Sequence, residues 1–145
     1  MPYKIKRVDG RRSRDLIMRM HDDIFGPSEK STLHDPATEG WWWIAYDEAG
    51  VPAGFCALTQ NHPRTGYLHR SVVYPQDRGH GLQRRMIRVR ERFARKQGWW
   101  RLRSDTCDSP HSVNNLVSSG YRNILPANPW GLKRSVYWQK IIGVK

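Results

Sequence analysis

The sequence predicts a mixed α/β (α+β) fold, with strands and helices interleaved around one core and residues 1–145 forming a single domain. Three observations carry this. First, β-branched and aromatic runs alternate with segments of helical apolar spacing, in the order β α β β β α β α β β. Second, no internal repeat or low-complexity linker divides the chain, and 145 residues are enough to bury a substantial core. Third, one strand passes to the next through a helix, which requires at least one parallel crossover.

The elements follow in order. Tyr3 to Asp9 alternates Tyr3, Ile5 and Arg7 with Lys4, Lys6 and Val8, a strand pattern that breaks at Gly10. Ser13 stands where a helix cap is expected, before Leu16, Ile17, Met20 and Ile24 at helical spacing, and Gly26-Pro27 ends that helix. Pro27 to Gly40 is polar and broken by proline, so it reads as a long loop with at most one short helical turn. Trp41 to Asp47 and Val51 to Gln60 flank Glu48-Ala49-Gly50, a tight hairpin. A third strand of this sheet, Tyr67 to Tyr74, stops at Pro75. From Gly81 to Gln97, Leu82, Met86, Val89 and Phe93 form one apolar stripe, closed by Gly98. Trp99 to Thr106 is a strand, Pro110 to Ser119 a short helix, Tyr121 to Leu125 extended, and Ser135 to Ile142 the last strand.

Apolar residues make up 38% of the chain and none of their runs approaches the length of a membrane span, so a soluble protein is expected. The opening residues MPYKIKRVDGRRSRD contain no apolar stretch that would direct secretion. Cys56 and Cys107 lie far apart, and with six scattered histidines they make no metal-binding pattern. The expectation is a reduced, cytoplasmic protein without structural zinc or another metal. The formal charge of +12 favours polyanionic company: a phosphorylated cofactor, a nucleic acid or an acidic protein surface.

The stretch VVYPQDRGHGLQRRM, Val72 to Met86, joins a strand to a helix through a turn with two glycines. Unpaired N–H groups and the helix dipole both point at whatever occupies such a mouth, and glycine permits approach closer than a Cβ allows. This is a device for phosphate. It is not a P-loop, which needs GxxxxGK[ST]. Nor is it a dinucleotide fingerprint, which needs a third glycine where Arg84 stands.

Val73 to Leu82, Val-x-Pro-x-x-Arg-Gly-x-Gly-Leu in outline, resembles the acetyl-CoA signature of the GNAT N-acetyltransferases, Q/R-x-x-G-x-G/A. Here that signature spans Arg78-Gly79-His80-Gly81-Leu82-Gln83, with Gln83 in place of the usual glycine or alanine. A second stretch, Asp108 to Tyr121, resembles the family's later helix, which ends in Gly-Phe or Gly-Tyr. The element order matches the family over nearly the whole chain. The resemblance implies a central, mostly antiparallel sheet with a parallel pair splayed at the cofactor site. It also implies transfer of acetyl from acetyl-CoA to a primary amine, through a tetrahedral intermediate.

Residue by residue, the resemblance places the pyrophosphate on the backbone amides of Arg78, Gly79, His80, Gly81, Leu82, Gln83 and Arg84. It lays pantetheine along Ser71, Val72 and Val73, with Val73 N–H as the oxyanion donor, and turns Asn115 and serine of the later helix toward the arm and thiol. For the base, Tyr67 and His69 lie two apart on a predicted strand, and His69 titrates near neutrality. Glu39, Asp47 and a water chain are the alternatives. The family's usual acid is a tyrosine four residues before Gly-Phe; that position here is Leu116, so Ser112, Asn115, Tyr67 or water must protonate the thiolate. A helix cap and polar side chains facing solvent account equally well for Ser112 and Asn115.

Seven arginines and one lysine stand against Glu91 alone between Arg78 and Lys96. Arg84, Arg88 and Arg92 lie off the apolar stripe, either as a solvated face or as a docking face for a nucleic acid or acidic protein. Such docking defines the alternative function, an acyl-CoA-binding module that works through its partner. The tryptophans of the predicted strands are expected in core and sheet, and the loop Ile124 to Arg134 is expected to meet the substrate. The acceptor amine is not named by the sequence, and the family's monomeric and dimeric forms both remain open.

Overall fold

The structure, a computed structural model, describes residues 2–27 and 34–145. Its elements are β1 (Lys4–Val8), α1 (Arg14–Phe25), β2 (Trp41–Tyr46), β3 (Pro52–His62), β4 (Thr65–Val73), α2 (Leu82–Lys96), β5 (Arg101–Thr106), α3 (Pro110–Ser118), β6 (Arg122–Ile124) and β7 (Val136–Ile141). This is the predicted order. Part of the loop expected from Pro27 to Gly40 lies outside the described residues; within the described part, Glu39 N–H donates to the Asp35 carbonyl (2.9 Å), a single helical turn. Among the described residues the strands form a seven-stranded sheet in the order β1-β2-β3-β4-β5-β7-β6. β4 and β5 run parallel, whereas β1–β2, β2–β3, β5–β7 and β6–β7 are antiparallel. Among the described residues no helix is long and apolar enough to cross a membrane.

The chain divides into two compact units, one running to Thr59 and resuming over His69–Met86, the other made of Gln60–Leu68 and Ile87–Lys145. The first unit is built on Ile17 and Met20 of α1, packed with Trp42, Ile44, Phe55, Ala57 and Val72. β2 is buried at four successive positions, Trp42 to Ala45, rather than at alternate ones, because both of its faces are covered. That is where Trp42 and Trp43 go. The β2–β3 hairpin closes as expected, with Gly50 N–H donating to the Asp47 carbonyl (2.9 Å) and Val51 N–H to Asp47 Oδ1 (2.9 Å). The start of α1 differs from expectation. Ser13 occupies the cap position without a side-chain capping bond, and Asp9 Oδ1 instead collects the N–H groups of Arg11 (2.9 Å) and Arg12 (3.2 Å).

In the second unit β5 alternates as a strand with unlike faces should: Leu102, Ser104 and Thr106 are buried, while Arg101, Arg103 and Asp105 are half-buried. The buried side of α2 is broader than the predicted stripe. It takes in Arg90 and Glu91, while Val89 and Phe93 are only half-buried. Glu91 is tolerated there because its carboxylate accepts the Tyr121 hydroxyl (2.8 Å) and lies 3.1 Å from Lys140 Nζ. Burial, and then the Glu91 charge, push the Tyr121 phenol far above its usual range.

Candidate active site

In the first unit β4 ends at Val73, and the chain turns through a 3-10 segment, Pro75–Asp77, before α2 begins at Leu82. Gly79 and Gly81 are both left-handed, with φ of 84° and 75°. A Cβ added to either would meet nothing within 4 Å, so the space above the turn is open. The glycines are thus required by backbone conformation, and their bareness leaves room beside the first N–H groups of α2. Leu82 is buried and pins the helix start, while His80 and Arg84 are exposed.

Side chains hold this turn from several directions. Arg78 folds back so that its Nε–H donates to the Val73 carbonyl (3.2 Å). Asp77, itself buried, accepts the Tyr3 hydroxyl at 3.0 Å, and Arg85 donates to the Tyr3 carbonyl at 3.1 Å. Burial raises the Tyr3 pKa, and the hydrogen bond to Asp77 adds to the effect. The Tyr3 ring also lies 5.3 Å from that of His80. Gln83, the departure from the family signature, turns its amide toward β4 and accepts a hydrogen bond from the Ser71 hydroxyl. Its side chain is thereby drawn to Ser71.

Val72 and Val73 are buried. Tyr74 N–H donates to the Ala53 carbonyl of β3 (2.9 Å), so strand alternation directs the Val73 N–H to the opposite edge.

His69 is half-buried and stacks on His34, with ring centroids 3.9 Å apart and 26° between planes. Its Nε2 accepts the His34 backbone N–H at 3.3 Å, which assigns the proton of the neutral ring to Nδ1. His34 Nδ1 in turn lies 3.2 Å from the Glu39 carboxylate. The structure therefore brings two of the base candidates, His69 and Glu39, into one chain of contacts through His34. Asp47 is elsewhere, engaged in the hairpin turn.

In the second unit the Tyr67 hydroxyl donates to Asp105 Oδ1, and Ser135 Oγ lies 3.5 Å from Asp105 Oδ2. Trp130 meets Tyr67 edge-on at 6.4 Å and Tyr137 at 4.5 Å. Ser112 belongs to the start of α3: its N–H donates to Ser109 Oγ (3.4 Å), and its own oxygen accepts from that hydroxyl (2.8 Å). Asn115 is half-buried on α3, beside buried Leu116. Sequence reasoning missed His34, Asp105 and Trp130. Trp130 stood in the loop expected to meet the substrate, which was the one usable signal for it.

The model of the acetyltransferase (GNAT) family matches residues 11–114, and the chain belongs to that family. A GNAT-family acetyltransferase from Staphylococcus aureus Mu50 is 14% identical, with 96% of this chain and 99% of that chain covered at a TM-score of 0.75. The yncA protein of Salmonella typhimurium, solved with its cofactor acetyl-CoA, is 14% identical over 98% of this chain and 95% of its own, at a TM-score of 0.71. A dodecameric spermidine N-acetyltransferase from Vibrio cholerae is 10% identical over 97% and 94%, also at 0.71. At these identities the likeness is one of fold. No curated protein matches the chain.

Proposed function

We propose that the protein is an N-acetyltransferase that moves acetyl from acetyl-CoA to a primary amine by direct attack, with residues 1–145 acting as one domain. The observation that carries this reading is the open, doubly left-handed turn Arg78 to Gly81 at the mouth of α2. A diphosphate fits it. In this reading the N–H groups from Gly79 to Arg84 hold the diphosphate; no Cβ fills the space over either glycine, and the Gln83 side chain is held by Ser71. Arg78 and Arg84 add positive charge, and His80 stands between the two glycines. Ser71, Val72 and Val73 offer the strand along which an amide-bearing arm pairs, and the Val73 N–H is aimed to donate to an oxyanion.

Acetyl-CoA supplies the thioester carbon that the amine attacks. His69 receives the amine's proton, directly or through water. Because Nε2 already accepts the His34 N–H, protonation there requires that bond to open. His34 links this ring to the Glu39 carboxylate, stacking on His69 at 3.9 Å with its Nδ1 3.2 Å from Glu39. Tyr67 returns a proton to the leaving thiolate, with Asp105 orienting its hydroxyl; Ser112 and Asn115 are the other donors in this proposal. The acceptor is a small metabolite, a protein N-terminus or a lysine.

One observation favours a second reading, an acyl-CoA-binding module that docks a nucleic acid or acidic protein. Arg88, Arg92, Arg95 and Lys96 are all exposed on α2. Incubation with labelled acetyl-CoA and pools of amines, followed by mass spectrometry, separates the two. An acetylated amine dependent on His69 supports the enzyme, and cofactor binding with no acceptor in any pool supports the module.

A further inference from the structure

Arg101 and Arg103 occupy alternate positions on β5, half-buried on the same side of the strand. Each commits its Nε–H to a neutral oxygen: Arg101 to Thr65 Oγ1 and Arg103 to Gln139 Oε1, both at 2.8 Å. Among the described residues neither guanidinium has a carboxylate within ion-pair distance. Desolvation lowers the pKa of both, and Arg101 further lowers that of Arg103 by repulsion. Two cations thus stand two residues apart on one side of a strand, partly out of water, with no hydrogen bond from their terminal nitrogens among the described residues, and the Arg101 guanidinium carbon lies 4.5 Å from the Trp100 ring centroid. Those nitrogens form the planar fork that grips a carboxylate through paired hydrogen bonds.

A third donor stands beside Arg103. The Arg103 guanidinium carbon lies 5.7 Å from the Trp130 ring centroid, and Trp130 Nε1 is buried without a hydrogen-bond acceptor among the described residues. Asp105, the nearest acid along the strand, is already engaged by Tyr67 and Ser135. We propose that Arg101, Arg103 and the Trp130 indole form a binding site for a carboxylate, and that the acceptor amine is an amino acid or related molecule carrying that carboxylate. The site stands on its own geometry; the acceptor's identity rests on the reading of the protein as an N-acetyltransferase. Asp105, two residues beyond Arg103, repels a phosphate dianion more than a singly charged carboxylate, and the rings of Tyr67, Trp130 and Tyr137 suit an apolar side chain.

Calorimetric titration without acetyl-CoA tests the site, using hydrocinnamate, its uncharged amide hydrocinnamide, and inorganic phosphate. Hydrocinnamate should bind at least about 10-fold more tightly than either of the others, and Arg103→Gln should weaken it about 10–100-fold. Arg103→Lys should recover only part of the loss, and coenzyme A binding should be unchanged in both variants. Equal binding of acid and amide to the unaltered protein overturns the proposal, as does tighter binding of phosphate, and neither result depends on a variant folding.

A kinetic arm compares acetylation of L-phenylalanine with that of L-phenylalaninamide. Preference for the free acid, lost in Arg103→Gln through KM, supports the acceptor class, and preference for the amide overturns it. Acid-selective binding with no amine acetylated at all leaves the carboxylate site standing and removes the N-acetyltransferase reading.

Discussion

Alanine at Gly81 separates backbone strain from ligand contact. At a φ of 75° an L-residue costs about 1–2 kcal/mol, and the new methyl meets no protein atom within 4 Å, so no clash adds to that. For a chain of this size the loss of Tm should be roughly 2–8 °C. Gly50, in the β2–β3 hairpin, has a φ of 81° and the same open surroundings, so Gly50→Ala carries the same strain far from the turn. The two variants should differ toward coenzyme A. In the proposed site the Gly81 methyl stands where the diphosphate approaches, and losing a charged hydrogen bond there should weaken binding about 10–100-fold. With coenzyme A at 100 times the wild-type Kd, ligand stabilisation is about 2.7 kcal/mol; in Gly81→Ala it should fall to about 1.4–0.4 kcal/mol, and in Gly50→Ala it should not change. Thermal shift with and without coenzyme A reads both numbers. Equal ligand stabilisation in the two variants would show that the turn does not hold the phosphate.

His69→Ala should lower kcat by about 10²–10⁴-fold with coenzyme A affinity unaltered, and should remove the acidic limb of the pH–rate profile; a normal rate with that limb retained would make the histidine structural. Charge reversal at Arg88 and Arg92 should leave acetyl-CoA binding intact while weakening any polyanion complex and flattening its salt dependence, so unchanged affinity for a DNA or RNA probe would remove the docking reading. Tyr74 donates to Asp23 at 2.6 Å, and burial, then that bond, pushes its phenol up to about 12. The folded protein therefore keeps a proton that the unfolded chain releases at about pH 10, and this contribution is present below pH 10 and lost as pH rises toward 12. Tyr74→Phe should accordingly show a shallower fall of Tm over that interval, and an unchanged slope would contradict the assignment.

The element order was legible because periodicity and glycine or proline punctuation are local properties, and every strand and helix announced itself in them. The two-glycine turn before α2 was legible for the same reason. The broad buried side of α2 was not, because Glu91 is acceptable inside only through Tyr121 and Lys140, thirty and forty-nine positions away. Nor could the chain reveal that Gln83 turns to Ser71, or that Tyr67 is committed to Asp105. His34 could not be singled out, since its importance lies in stacking on a residue 35 positions later. Partner identities of this kind are set by the folded backbone, and no spacing rule encodes them.

The bond from Tyr3 to Asp77 has a consequence for biosynthesis, because the two residues are 74 positions apart. At ribosomal rates of about 5–20 residues per second, Asp77 is polymerised roughly 4–15 s after Tyr3. Arg85, which donates to the Tyr3 carbonyl, comes later still. β1 can pair with β2 as soon as Tyr46 has emerged, but its Tyr3 end waits without either partner until the glycine turn and the first turn of α2 follow. The nascent chain therefore carries an exposed aromatic strand end through most of the first unit's translation. The same contacts that steady the turn in the finished protein are among the last in that unit to become available.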